Sequence, residues 1–98
     1  MSAREALEIA TLGGAQVLGR DDIGRIAPGL RADLAVWDTQ GVESAGSWDP
    51  AALLLAGPRR VERLFVEGRE VVQDGRIATF DLGRKLAEAR KAVARLAA

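Results

Sequence analysis

The sequence has 98 residues, 48% of them apolar, no histidine and no cysteine, and its 14 basic and 14 acidic side chains cancel. A chain of that length forms one domain at most and buries roughly 60–65% of the surface its unfolded form exposes. The missing cysteine excludes a disulfide framework and a thiolate nucleophile, and zero net charge argues against bulk attraction to nucleic acid or anionic lipid. The charge is unevenly spread, however. Residues 1–57 carry four basic and eight acidic side chains and residues 58–98 carry ten and six, so the second half suits an acidic surface and the first half is one such surface. Glu5 and Glu8 interrupt any apolar stretch of a signal peptide, and no run approaches the ~18–20 apolar residues of a membrane span. The expectation is a cytoplasmic protein with neither a nucleic-acid nor a membrane partner.

Ser2-Ala3-Arg4-Glu5 is a capping-box pattern that starts a helix at once, with Ala6, Leu7, Ile9, Ala10 and Leu12 as its apolar stripe. Gly13-Gly14 is expected to end or bend it before a short helical turn through Val17 and Leu18, closed by Gly19. Pro28-Gly29 predicts a type II turn, because proline presets φ and glycine accepts a positive one. The turn leads into a strand over Ala32–Asp38, with Leu34 and Val36 inward, Trp37 on the other face and both faces partly covered.

Residues 39–49 read as a surface loop. Asp49-Pro50 then gives an N-cap and a first-turn proline to a short connecting helix that stops near Gly57-Pro58. Val61–Val66 and Arg69–Val72 form a hairpin across the two-residue turn Glu67-Gly68, and Asp74-Gly75 reverses the chain again into a third strand over Arg76–Phe80. From the N-cap Asp81, Leu82, Leu86, Ala89, Val93 and Leu96 form one stripe of a closing amphipathic helix. The fold class is thus α+β, a small, mostly antiparallel sheet with helices at both ends. Residues 1–19 make the first helical segment, 20–80 the sheet region and 81–98 the closing helix.

No catalytic constellation is legible. The serine and threonine hydroxyls have no histidine to act as base, and Lys85 and Lys91 sit on the solvated face of the last helix. Asp21-Asp22 lacks the spaced ligands of a calcium loop and reads as a solvated turn. Gly13-Gly14 lacks the Gly-Lys-Ser/Thr of a phosphate loop, and the Arg59-Arg60 pair and the basic last helix carry interspersed acids and no alternating aromatics. Trp37 and Trp48 fit packing on an apolar core better than a ligand pocket.

The order Ala10-Thr11-Leu12-Gly13-Gly14-Ala15, Leu18-Gly19, Ile23-Gly24, Pro28-Gly29 and Ala32-Asp33-Leu34 resembles the point where a metal-dependent amidohydrolase leaves its catalytic barrel. The later run from Val66-Glu67-Gly68-Arg69 to Asp74-Gly75 is similar to the hairpin that ends the same enzymes. The resemblance covers about residues 3–80. It implies a C-terminal segment that supplies a last barrel helix and part of a composite β-sandwich, with structural turn roles for Pro28, Gly29, Asp33, Gly68 and Gly75. It implies no catalytic, cofactor-binding or metal-binding residue here, because the zinc or iron ligands of the family lie on barrel strands without a counterpart in this sequence. Gly46-Ser47-Trp48-Asp49-Pro50 and Gly57-Pro58-Arg59-Arg60-Val61 look most like the 8-oxoguanine and hydroxyatrazine deaminase branch. The expected function is that of a non-catalytic domain of a hydrolase acting on non-peptide C–N bonds, inert alone. The alternative is a free-standing assembly module. The expected partners are a second copy, as a homodimer, or a barrel-bearing polypeptide.

Overall fold

The computed structural model of the chain describes residues 1–57 and 60–98. Its first helix starts as the capping box requires: the Glu5 amide donates to Ser2 Oγ at 3.2 Å and the Ser2 amide to Glu5 Oε2 at 2.6 Å. The α-helix α1 (Ala3–Glu8) runs into a π-helical turn over Ile9–Gly13 and continues as α2 (Gly14–Val17). Gly13 and Gly14, expected to end or bend the helix, do not end it: both keep helical dihedrals, Gly13 as the last residue of the widened turn and Gly14 as the first of α2. The end lies at Gly19, whose φ of 67° closes a Schellman pair in which the Gly19 amide donates to the Gln16 carbonyl and the Arg20 amide to that of Ala15.

Helix α3 (Pro50–Leu55) is capped by Asp49, whose side chain accepts the Ala51 amide at 3.1 Å. It is more than the connector expected, because it packs on α1, buries Ala51 and is tied to it by Arg4 Nη2 and Asp49 Oδ1 at 3.0 Å. It ends at Leu55 with Ala56 as its C-cap, close to the stop expected near Gly57-Pro58; Pro58 and Arg59 lie outside the described residues. The loop before α3 holds a short 3₁₀ turn, Val42–Ser44, while Trp48 is 91% exposed and covers no core, contrary to the packing role expected of it.

The sheet is antiparallel throughout, in the order β1 (Leu34–Trp37), β2 (Val61–Val66), β3 (Arg69–Gln73) and β4 (Arg76–Ile77). The fold class is the α+β arrangement read from the sequence. Two registers slip. Phe65 faces Glu70 while Leu64 faces Val72, leaving Val71 as the extra residue, and Val36 faces Arg63 while Trp37 faces Val61, leaving Glu62 extra. Such bulges bend a sheet and break the simple alternation of faces, so Leu64 and Phe65 are both half-buried. The last strand is two residues long instead of the expected five, because after Ile77 only the Ala78 amide still reaches β3, at the Val71 carbonyl.

Little is enclosed. Ala15 and Ala51 are the buried apolar residues, and no large side chain is fully buried among the described residues. Strand β1 is not covered on both faces as expected, since Ala35, Val36 and Trp37 are all exposed. Helix α4 (Leu82–Ala97) begins at Asp81 as predicted, with the Arg84 amide donating to Asp81 Oδ1, yet every one of its residues is exposed. The accessible surface is 7894 Å², against roughly 5,400 Å² for a compact chain of this mass. The radius of gyration is 17.1 Å, where about 13 Å is usual. The elements are well formed; the faces between them are open.

Candidate functional site

The residues singled out in the sequence fall into two turns and the loop that joins them. Pro28-Gly29 occupies the centre of a turn closed by the Leu30 amide on the Ala27 carbonyl, with Gly29 at φ 83°, the type II geometry expected. Glu67 and Gly68, at φ 51° and 80°, form the β2–β3 turn as a type I′ pair, and Asp74 and Gly75, at 50° and 74°, repeat it between β3 and β4.

The Pro28–Asp33 loop and the Glu67-Gly68 turn meet. Asp33 Oδ1 accepts the Glu67 amide at 2.7 Å, and the Ala32 carbonyl accepts the Gly68 amide at 3.0 Å. Both amides of a turn whose residues have left the ladder are thus held by consecutive residues of the chain entering β1. This is what the Ala-Asp-Leu triplet supplies: the alanine carbonyl, the aspartate carboxylate, and a leucine that starts the strand opposite Phe65.

A charge chain lies alongside. Arg20 grips Asp22 with two hydrogen bonds of 2.9 Å; Asp22 also accepts from Arg31 Nε, and Arg31 Nη1 reaches Glu67 Oε1, each at 2.9 Å. The hydrogen bonds from Arg20 and then Arg31 hold the Asp22 carboxyl well below the usual carboxylate range. Sequence reasoning took Asp21-Asp22 for a solvated turn and missed this role. The available signal was the flanking pair of arginines, Arg20 and Arg31, around the loop's Asp21-Asp22. Pairing it required knowing that the loop folds back, which the Arg31 amide does by donating to the Asp22 carbonyl. Gly24 is fixed by space as well as by its φ of 94°: a Cβ there would stand 2.9 Å from that of Ala15 and 3.1 Å from the Thr11 carbonyl oxygen. That contact seats the loop on the first helix.

On the other side of the hairpin, Arg63 Nε donates to Glu70 Oε1 at 2.6 Å and its guanidinium lies 5.0 Å from the Phe65 ring centre. Gln73 Nε2 adds a bond to Glu70 Oε2. The Arg63 hydrogen bond lowers the Glu70 pKa. These groups are consumed by one another, and none is poised as a free base next to a nucleophile. The donor set does not fit a resident metal: there is no imidazole or thiolate in the sequence, and no three carboxylates converge among the described residues. What the geometry defines is a scaffold whose polar groups set turns and whose apolar faces stay open.

Residues 1–71 match the Amidohydrolase family, and the chain belongs to it. It is 44% identical over 94 residues to the 8-oxoguanine deaminase of Pseudomonas aeruginosa, which covers 95% of this chain and 21% of that enzyme. Its fold superposes on atrazine chlorohydrolase of Arthrobacter aurescens complexed with zinc (TM-score 0.82, 38% identity, 92% of this chain and 20% of that one). It likewise superposes on an adenosine deaminase of Xanthomonas campestris with bound zinc (TM-score 0.87, 29% identity, 96% and 22%). The chain spans about a fifth of the length of the curated relatives it matches across its whole extent.

Proposed function

We propose that these 98 residues serve as the non-catalytic C-terminal domain of an amidohydrolase that deaminates a nitrogen heterocycle, and that they are inert without a metal-bearing barrel. The observation that carries this reading is a conjunction: a family segment with well-formed turns and sheet, yet with almost no enclosed core. A domain that finishes its core against a larger body has that appearance, because apolar surface left open in isolation gains about 25 cal/mol per Å² when it is covered. The 8-oxoguanine deaminase likeness supports a ring-deaminating parent. Zinc or iron would be held by residues outside this sequence, where it supplies a hydroxide nucleophile near neutral pH. The contribution of this chain is to build the sheet, through Asp33 and the Glu67-Gly68 turn, and to present it.

The test is complementation. The chain alone, with or without zinc, turns over no 8-oxoguanine. Mixed with a Pseudomonas aeruginosa 8-oxoguanine deaminase from which the matching segment has been deleted, it restores metal-dependent deamination. Turnover by the chain alone that survives repurification would refute the reading, and so would a mixture in which the two polypeptides neither bind nor react.

A second reading, an assembly module that covers its faces with another copy of itself, is favoured by one specific observation: no residue of α4 is buried, and its apolar stripe is intact.

A further inference from the structure

The two type I′ turns of the sheet differ by one methylene and in how they are held. Glu67-Gly68 carries a glutamate, and residues outside the hairpin take both of its amides, Asp33 Oδ1 that of Glu67 and the Ala32 carbonyl that of Gly68. Asp74-Gly75 carries an aspartate at nearly the same φ, 50° against 51°. Its Gly75 amide donates to the Glu62 carbonyl at 2.9 Å, so the residue left extra by the β1–β2 bulge is the one that holds this turn. Both turn residues and Arg76 are exposed to water. The strand that follows is weakly anchored. Strand β4 has two register pairs, Val72 with Ile77 and Gln73 with Arg76, and beyond them the Ala78 amide on the Val71 carbonyl at 2.9 Å. A strand end with so few bonds opens locally at far lower cost than global unfolding.

An aspartate followed by glycine carries its own reactive pair. The glycine backbone nitrogen can attack the aspartate Cγ and close a five-membered succinimide as the carboxyl loses water, whereas a following residue with a Cβ hinders that approach. Asp74 is the one aspartate of the sequence that precedes glycine, and the sequence has no asparagine. At Glu67 the ring would have six members, and it closes much more slowly. In the folded turn the attack is blocked twice. The Gly75 nitrogen is engaged with Glu62, and the type I′ backbone at Asp74 must rotate before that nitrogen can face Cγ.

We propose that Asp74-Gly75 is a site of spontaneous isomerisation gated by the β3–β4 turn, and that the reaction, once complete, frees β4 from the sheet. When the turn opens, the Gly75 nitrogen bonds to Asp74 Cγ, and the amide proton leaves with the carboxyl OH as water. Water then adds and cleaves the ring between the nitrogen and the Asp74 α-carbonyl, which leaves Gly75 attached through Cγ and the α-carboxylate free. The water lost in the first step is regained in the second, so the mass is unchanged and no other reactant is needed. The new linkage lengthens the main chain by one carbon inside a two-residue loop, and such a loop sets the register of the strands it joins. Gln73 then no longer faces Arg76 across the turn, and the remaining pair is too little to hold β4. The Glu67 turn is untouched, so β2 and β3 stay together.

Peptide mapping of the full chain tests the inference, with the protein held at neutral pH either native or unfolded in guanidinium chloride and digested with trypsin at intervals. The peptide Glu70–Arg76 should convert to an isomer of equal mass and shifted retention, which methyl transfer by an isoaspartyl methyltransferase also counts. Conversion in the native chain should be about tenfold or more slower than in the unfolded one. Ala78→Pro removes the last β4 bond and should bring the native rate to within about threefold of the unfolded rate, with the β2–β3 amides checked for protection against hydrogen exchange. Asp74→Glu should abolish conversion and keep the turn, since Glu67 occupies the same position at φ 51°. In the isomerised chain the Ala78 amide should exchange about tenfold or more faster, with β2–β3 protection unchanged. Native and unfolded rates that agree would overturn the gate, and so would an Ala78→Pro rate equal to that of the wild type. Isoaspartate that forms first at another residue, or that persists in Asp74→Glu, would overturn the site. An isomerised chain that keeps its Ala78 amide protected would overturn the release of β4.

Discussion

The loop from Arg20 to Asp33 with its hairpin turn, and the helix α4, are built on opposite terms. In the first, each departure from regular structure has a named partner: Asp33 for the Glu67 amide, Ala32 for that of Gly68, Arg20 and Arg31 for Asp22, and Ala15 against Gly24. In the second, a regular helix with a good N-cap carries an apolar stripe of which, among the described residues, nothing is buried. Local polar chemistry is thus complete within the chain, while the apolar faces are not. A segment that supplies a finished scaffold to a larger body needs the first and can leave the second to its partner.

Substitutions should separate the two regions. The largest loss is expected from Gly24→Val, which adds a clash with Ala15 and the Thr11 carbonyl to a positive φ. About 3 kcal/mol or more is the scale, read by chemical denaturation. Gly68→Val forces a β-branched residue into the left-handed region at φ 80° and should cost about 1–3 kcal/mol, seen as a lowered Tm. An unchanged Tm would mean that the hairpin turn does not hold the sheet. Asp33→Ala removes one acceptor from an exposed amide and should cost roughly 1 kcal/mol, with Asp33→Asn recovering part of it.

Acid acts on the same region. The folded-state pKa of Asp22 is depressed, so its contribution is fully present above the unfolded carboxylate range, near pH 4, and fades as the pH falls below it. Denaturation midpoints followed from pH 6 to pH 2 should show this decline, with a shallower slope in Asp22→Asn. The smallest effect belongs to α4: Leu86→Asp, measured at concentrations dilute enough to hold the chain monomeric, should change stability by less than about 0.5 kcal/mol.

The elements that the sequence revealed are those specified by short-range chemistry. Ser2 and Glu5 marked the first helix, Pro28-Gly29 and Glu67-Gly68 their turns, and Asp49 and Asp81 the starts of α3 and α4. What it did not reveal depends on contacts between distant residues. The bulges at Glu62 and Val71 decide which side chains share a face, and no local pattern announces them. No local pattern announces the π turn at Ile9–Gly13, nor that the helix runs on through a glycine pair whose low propensity suggested an end or a bend. The exposure of β1 was missed because an apolar strand implies a cover without saying whose, and that of Trp48 because a large aromatic in a loop does the same. For the site, Asp33 was placed by likeness to other enzymes, and only the geometry gave its task, the Glu67 amide.

Hydrogen exchange resolved by residue and by protein concentration tests the contrast most directly. An isolated helix of 16 residues is marginal in water, so at low micromolar concentration the α4 amides should exchange nearly as fast as in an unfolded chain. The β2 and β3 ladder amides and those of Glu67 and Gly68 should be protected together. Raising the concentration, or adding a barrel-bearing partner, should slow exchange in α4 and leave the hairpin unchanged. Equal protection of α4 and the hairpin at the lowest concentration would contradict the account, because α4 would then be held by its own chain and no face would be waiting for a partner.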